Sequence, residues 1–364
     1  MHNREENDVI DKKVFGELGG VPVHAYTVTT KGGLTATFID FGARLVSLNV
    51  PDRHGAMADI VLGFDDLESY LTTDTFFGAT CGRYGNRIAQ GRFLLDGRDV
   101  QLDCNEGQNH LHGGHEGFDR KVWSAAYDPD GNRIEFSTTS LAGEMGFPGA
   151  LTITSTYELG ESQLRITMES DTDAPTIINM VHHSYFNLAG HDSGDVLAHE
   201  VTFASDFYTP VDDELLATGE ILTVADTPFD FRAGQTIGSR IAELPSVGDA
   251  IFSEGGGYDH NWCLRGSGAI NDCVSIHDTA SGRILRLRTT EPGVQFYTGG
   301  YLSDAVIGKG GARYRKYAGF TLETQKYPGS PNFSHFPSTR LEPSERYRHE
   351  MIFDFATDAA QATE

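Results

Sequence analysis

Residues 151–170 read LTITSTYELGESQLRITMES, and the alternation within them decides the fold. Leu151, Ile153 and Tyr157 interleave with threonines and Glu158, and Leu164, Ile166 and Met168 interleave with Arg165, Thr167 and Glu169. Alternate side chains of an extended chain share a face, so each half of the stretch predicts a half-buried strand, and Gly160 between them predicts a hairpin. Working outward, residues 34–50 (LTATFIDFGARLVSLNV) are rich in β-branched and aromatic residues, broken at Gly42 where a turn or bulge fits. Residues 283–290, 294–297, 319–324 and 350–355 continue the period-two pattern between Gly and Pro punctuation. Only residues 66–71 and 237–244 read as helical, a turn or two each, too little for crossover helices over a parallel sheet. The expectation is an all-β, mostly antiparallel architecture.

There is no internal repeat and no low-complexity tract, and the loops at 192–198 and 245–257 interrupt the strands without a change in composition. Residues 1–11 read as a flexible N-terminal segment and residues 12–364 as one domain, with more strands than an immunoglobulin-type sandwich holds. The formal net charge of −24 repels phosphate at long range and argues against nucleic acid or an anionic membrane as partner. Residues 1–18 show no apolar signal core and no run is long enough to span a bilayer, so a cytoplasmic location is expected. Cys81, Cys104, Cys263 and Cys273 form no paired CxxC knuckles and read as free thiols.

Five stretches carry candidate chemistry. In residues 178–190, INMVHHSYFNLAG, polar side chains cluster in an apolar run, where each would cost about 1–3 kcal/mol if left unpartnered. Alternation puts His183, Tyr185 and Asn187 on one face and His182, Ser184 and Phe186 on the other, so one face can line a polar cleft or both can be core. In CGRYGNRI, Arg83 and Arg87 flank glycines that let a ligand approach the backbone; a surface turn fits equally well. In NHLHGGH the histidines His110, His112 and His115 straddle a Gly-Gly turn and lack the regular spacing of a zinc set, so no metal is expected. Tyr258-Asp259 sets an acid beside an aromatic, a way to hold a sugar. Glu323, in the apolar run FTLETQ, is a candidate general base or acid, or one half of a buried salt bridge. Arg313-Tyr314-Arg315-Lys316 reads as a solvated turn.

These motifs together resemble the aldose 1-epimerase family, the galactose mutarotases. The resemblance rests on eight blocks in order: GRYGNRIAQGRF, LHGG, GFDRKVW, HSYFNLAG, TPVDDELLATGE, YDHNWCL, PGVQFYTG and LETQKYP, within a similarity that runs from about Val23 to Phe355. It implies a large antiparallel β-sandwich of the galactose-mutarotase type and an enzyme that interconverts the α and β anomers of free aldoses such as glucose and galactose. It further implies Glu323 as the base at the anomeric hydroxyl, His183 as the acid at the ring oxygen and His112 as a second catalytic histidine. Asn86, Arg87, His112, His183, Ser184, Tyr185, Asp259 and Gln295 match sugar-holding positions. No hydride moves, so no cofactor is expected, and there is no dinucleotide glycine fingerprint. His182, where the family often has Asn, and Gly329, where it often has Asp, depart from the pattern and bear on the pocket rim. A sugar-binding module and a glycoside hydrolase using Asp259 and Glu323 are the alternatives. The preferred aldose, and whether the protein is a monomer or a dimer, stay open.

Overall fold

The structure, a computed structural model, describes residues 8–244 and 256–358. Three antiparallel sheets carry the fold. A five-stranded meander runs Val9–Leu18, Val21–Thr29, Thr35–Ile39, Arg44–Pro51 and Met57–Asp59 in sequence order. A nine-stranded sheet has Leu151–Leu159 and Gln163–Thr172 near its middle, then Tyr347–Thr357, Arg283–Thr289 and Asn271–His277. A six-stranded sheet runs Tyr185–Phe186, Phe320–Gln325, Gly293–Tyr297, Asp259–Cys263, Phe207–Thr209 and Leu222–Thr223.

The 151–170 hairpin forms as its pattern predicts: Leu159 pairs with Leu164 across the turn, and Tyr157 with Ile166. Register carries that apolar row onward, Ile166 opposite Met351 and Leu164 opposite Phe353, so one face of the large sheet is mainly apolar, with Ser155, Ser170 and His349 buried within it. The other two sheets pack on it. Phe38 of the meander reaches Tyr157 at 4.6 Å between ring centroids, and Phe186 of the six-stranded sheet reaches Phe353 at 5.1 Å. Each such side chain withdrawn from water contributes about 1.5–3 kcal/mol. The result is the expected all-β sandwich.

Two local expectations change. Residues 9–11 are not a loose segment: Val9–Leu18 pairs along its length with Val21–Thr29, while residues 1–7 lie outside the described residues, as does most of the 245–257 loop. The helix begins one residue later than its pattern, Leu67–Thr72, because the Asp66 carboxylate caps it by accepting the Ser69 N–H. Gly42 does mark the break between Thr35–Ile39 and Arg44–Pro51, with φ +73 and no room for a Cβ against Asp119.

Candidate active site

The six-stranded sheet turns one face to a pocket of about 260 Å³. Neighbouring strands set its floor: Glu323 lies directly opposite Gln295, and Asp259 opposite Tyr297. His183 arrives on the short Val181–His183 strand, which pairs with Ala79–Cys81. The walls come from turns. Phe76, Asn86 and His112 all have left-handed backbone, φ 55, 64 and 50, a conformation costing about 1–3 kcal/mol in a non-glycine residue and typical of functional loops.

Glu323, His183 and His112 are 2, 4 and 6 % exposed. Glu323 Oε1 accepts the Thr321 hydroxyl at 2.9 Å and lies 3.4 Å from His183 Nε2, while Oε2 has no protein partner. Burial dominates the proton equilibria. It pushes the Glu323 carboxyl up to about 8, against the Thr321 hydrogen bond, and pushes His183 down to about 3. His112 falls well below the ordinary imidazole range for the same reason, with His183 and Arg87 adding to the effect. Over most of the accessible pH range the Glu323–His183 pair therefore holds one proton.

Arg87 donates from Nε and Nη2 to the two oxygens of Glu106 at 2.6 and 2.7 Å, and its Nη1 is 3.9 Å from Asp259 Oδ2. Burial disfavours its charge, yet the two carboxylates outweigh that and raise its pKa. Burial raises the Asp259 pKa, opposed by Arg87 and by the Gln295 amide, which donates to Oδ1 at 2.6 Å. Gln325 in turn donates to Gln295 Oε1 at 3.3 Å, which fixes the amide's orientation.

All but one of the catalytic and sugar-holding residues implied by the resemblance line this pocket: Asn86, Arg87, His112, His183, Tyr185, Asp259, Gln295 and Glu323. Ser184 does not. It lies between His183 and Tyr185 and faces the other way, its Oγ 2.7 Å from His182 Nε2, as the alternation of the strand requires. Asn187 also leaves the pocket face and donates to Ala318 O at 3.0 Å. Tyr258 is not a sugar platform: it is fully buried behind Asp259 and its hydroxyl donates to Pro228 O. Arg83 is neither a surface residue nor a ligand; its guanidinium is buried and donates to Pro148 O, Gly149 O and Ser140 Oγ. The two departures from the family pattern do not reach the rim. His182 sits in the core between Ser184 and Tyr157, and Gly329 opens a short turn against Phe333.

Among the pocket groups that the motifs did not single out are Asp74, Glu106, Phe76, Tyr297 and Tyr301. Phe76 is the aromatic wall beside the histidines, 4.9 Å from the His112 ring and 5.6 Å from His183. Tyr297 stacks on Tyr301 at 5.8 Å. Tyr297 stood inside a quoted block and follows Gln295 at strand spacing, so period two was enough to find it; Phe76, Tyr301 and Glu106 lie in turns with no such signal.

The histidines of NHLHGGH diverge. His110 Nδ1 meets Asp103 O at 2.7 Å, His115 meets the Asp103 carboxylate at 2.6 Å, and only His112 enters the pocket. There it joins a different trio, with donor atoms of His112, His183 and Glu323 all within 4.8 Å of one another. The composition suits zinc but the tautomer does not. The Asn86 backbone N–H donates to His112 Nδ1 at 3.2 Å, so neutral His112 carries its proton on Nε2, a hydrogen-bond donor rather than a free lone pair. Exhaustive treatment with EDTA is accordingly expected to leave turnover unchanged; a loss of rate restored by zinc would show that a metal takes part.

The aldose 1-epimerase family profile matches residues 24–354. The galactose mutarotase of Bos taurus is 42% identical over 351 residues, covering 95% of this chain and 98% of its own. The aldose 1-epimerase of Escherichia coli K12 is 34% identical over 344 residues, 93% of this chain and 97% of its own. Among solved structures, an aldose epimerase homologue from C. elegans superposes with a TM-score of 0.82 at 30% identity, over 90% of this chain and 97% of that one.

Proposed function

The chain belongs to the aldose 1-epimerase family, and from that premise we propose that it is a mutarotase in which Glu323 and His183 open and reclose the ring of a free aldohexose, glucose or galactose. The observation that carries the reading is the 3.4 Å separation of His183 Nε2 and Glu323 Oε1 on the floor of a sugar-sized polar pocket. Ring opening removes the proton from the anomeric hydroxyl and delivers one to the ring oxygen. Two groups in hydrogen-bond reach of adjacent oxygens do this together, and each positioned group is worth about 10²–10⁴ in rate.

Before a sugar binds, the shared proton rests on Glu323. The short gap lets it pass to His183, which leaves a carboxylate to accept from O1 and an imidazolium to donate to the ring oxygen. His112, a fixed Nε2–H donor, polarises the reacting oxygens. Rotation about C1–C2 exposes the other face of the aldehyde, and reclosure runs the same transfers backward. Asn86, Arg87, Asp259 and Gln295 hold the remaining hydroxyls, with Phe76, Tyr185 and Tyr297 against the C–H faces.

A glycoside hydrolase would need a second carboxylate free to act. Asp259 is committed instead to Gln295 and the Arg87 guanidinium, which favours epimerisation over hydrolysis. We take the sandwich from Val9 onward as one catalytic unit and place it in the cytoplasm, a reading supported by four unpaired cysteines; no helix among the described residues is long and apolar enough to cross a membrane. Polarimetry on freshly dissolved α-glucose and α-galactose tests the function: acceleration without any change in sugar composition is expected, and decay at the buffer rate alone would refute it.

A further inference from the structure

We propose, building on the reading of this pocket as an aldose 1-epimerase centre, that it accepts amino sugars, aldoses bearing an ammonium group, at least as well as neutral ones, and turns away aldoses bearing phosphate or carboxylate. The proposal follows from where the fixed charges lie. Four carboxylates line the pocket, Asp74, Glu106, Asp259 and Glu323, of which Asp74 is paired with Arg120 at 2.6 Å, and among the described residues Arg87 is the one lysine or arginine that does.

Arg87 is charge-compensated before any anion arrives, and what it leaves for a sugar hydroxyl is Nη1. Its Nε and Nη2 are both donated to Glu106, and its Nη1 faces Asp259 at 3.9 Å. One guanidinium thus serves two carboxylates, and a full negative charge is left over. The Glu323–His183 pair does not offset it, since with one proton between them the pair is neutral in either arrangement. The approach adds to the field: Glu106 also borders a neighbouring groove of about 900 Å³ in which Asp212, Asp213 and Glu214 face a single cation, Arg92.

A phosphate entering here loses water and meets a cation already compensated by two carboxylates, while an ammonium in place of a hydroxyl meets the carboxylate charge left in excess. One unit charge about 6 Å away at an effective dielectric of about 20 corresponds to roughly a hundredfold in affinity, and residual solvent and salt reduce that toward tenfold. An ammonium is also close in size to the hydroxyl it replaces, so shape does not oppose the exchange.

The test is a charge series on one ring: glucose, 2-amino-2-deoxyglucose and 6-amino-6-deoxyglucose held below their amine pKa, glucuronic acid and glucose 6-phosphate. Enzymatic anomer exchange is read by NMR above each sugar's own spontaneous rate, and binding of the same sugars is read by calorimetry. The expected result is kcat/KM for at least one amino sugar equal to or above that for glucose, both anionic sugars at least tenfold below glucose, and a spread that narrows as salt is added. In Asp259→Asn the ratio of amino sugar to glucose should fall about tenfold, whatever the variant's absolute rate. A flat series, or amino sugars bound and turned over no better than glucuronic acid, overturns the proposal while normal glucose turnover leaves the mutarotase reading intact. If no sugar is turned over, the mutarotase reading fails and the calorimetric ranking still decides the charge preference.

Discussion

Glu323→Gln is expected to lower kcat by at least about 10² while the sandwich and sugar affinity persist, because the amide keeps the shape of the side chain but cannot accept the anomeric proton. The local structure tolerates the change. Glu323 Oε1 accepts one hydroxyl, from Thr321, which a carboxamide oxygen accepts equally well, and Oε2 has no protein partner to lose. Without the carboxyl the store for the shared proton also disappears: His183, pushed down to about 3 by burial, stays neutral near pH 7 and has nothing to donate. Polarimetry checks the rate and calorimetry with galactose checks the binding. A variant retaining near-wild-type rate would remove Glu323 from the chemistry.

The second large effect concerns His183 and pH. The pair holds one proton between about 3 and about 8, the two values set by burial on His183 and Glu323. Catalysis needs that single proton. The rate should fall on the acid side as the pair gains a second proton, and on the basic side as pH passes about 8 and the last one leaves. These limbs belong to the pair and not to the order a free carboxyl and a free imidazole would give. In His183→Asn no imidazole is left to share, and the residual reaction needs only ionised Glu323. Its rate, lower by on the order of 10² or more, should rise with pH through the glutamate's titration and then level. A slow variant whose basic fall persists unchanged would assign the acid to another group, with His112 the next candidate.

The swapped order of those limbs marks what the sequence could and could not convey. The motif blocks place Glu323, His183, His112, Asn86, Arg87, Asp259, Tyr185 and Gln295, and all of them line the pocket. The direction of the pKa shifts was not readable, because desolvation depends on what covers a side chain, and Phe76 lies about a hundred residues from the histidine it shields. Ser184 is the instructive miss: motif matching named it, although the alternation of its own strand pointed it away. For the fold, period two and glycine placed the strands, and adjacency in sequence placed the hairpin. Pairings such as Gln163–Thr172 with Tyr347–Thr357 join segments far apart in the chain, and no local pattern specifies them.

The lateral row of Thr209, Asn261, Gln295 and Glu323, each opposite the next across four adjacent strands, limits how relatives of this chain can diverge. Strand side chains alternate, so inserting one residue before Leu322 would turn Leu322 toward the sugar and drive the Glu323 carboxylate to the opposite face, that of Phe296 and Phe320. Insertions and deletions are therefore barred from the strands that carry the base and the amide beside it. Asn86, His112 and Phe76 sit on turns, where length can change at little cost to the sheets. A change of register beneath Glu323 would thus displace a base and a sugar contact together, whereas a change of loop length at Asn86, His112 or Phe76 leaves the sheet as it is.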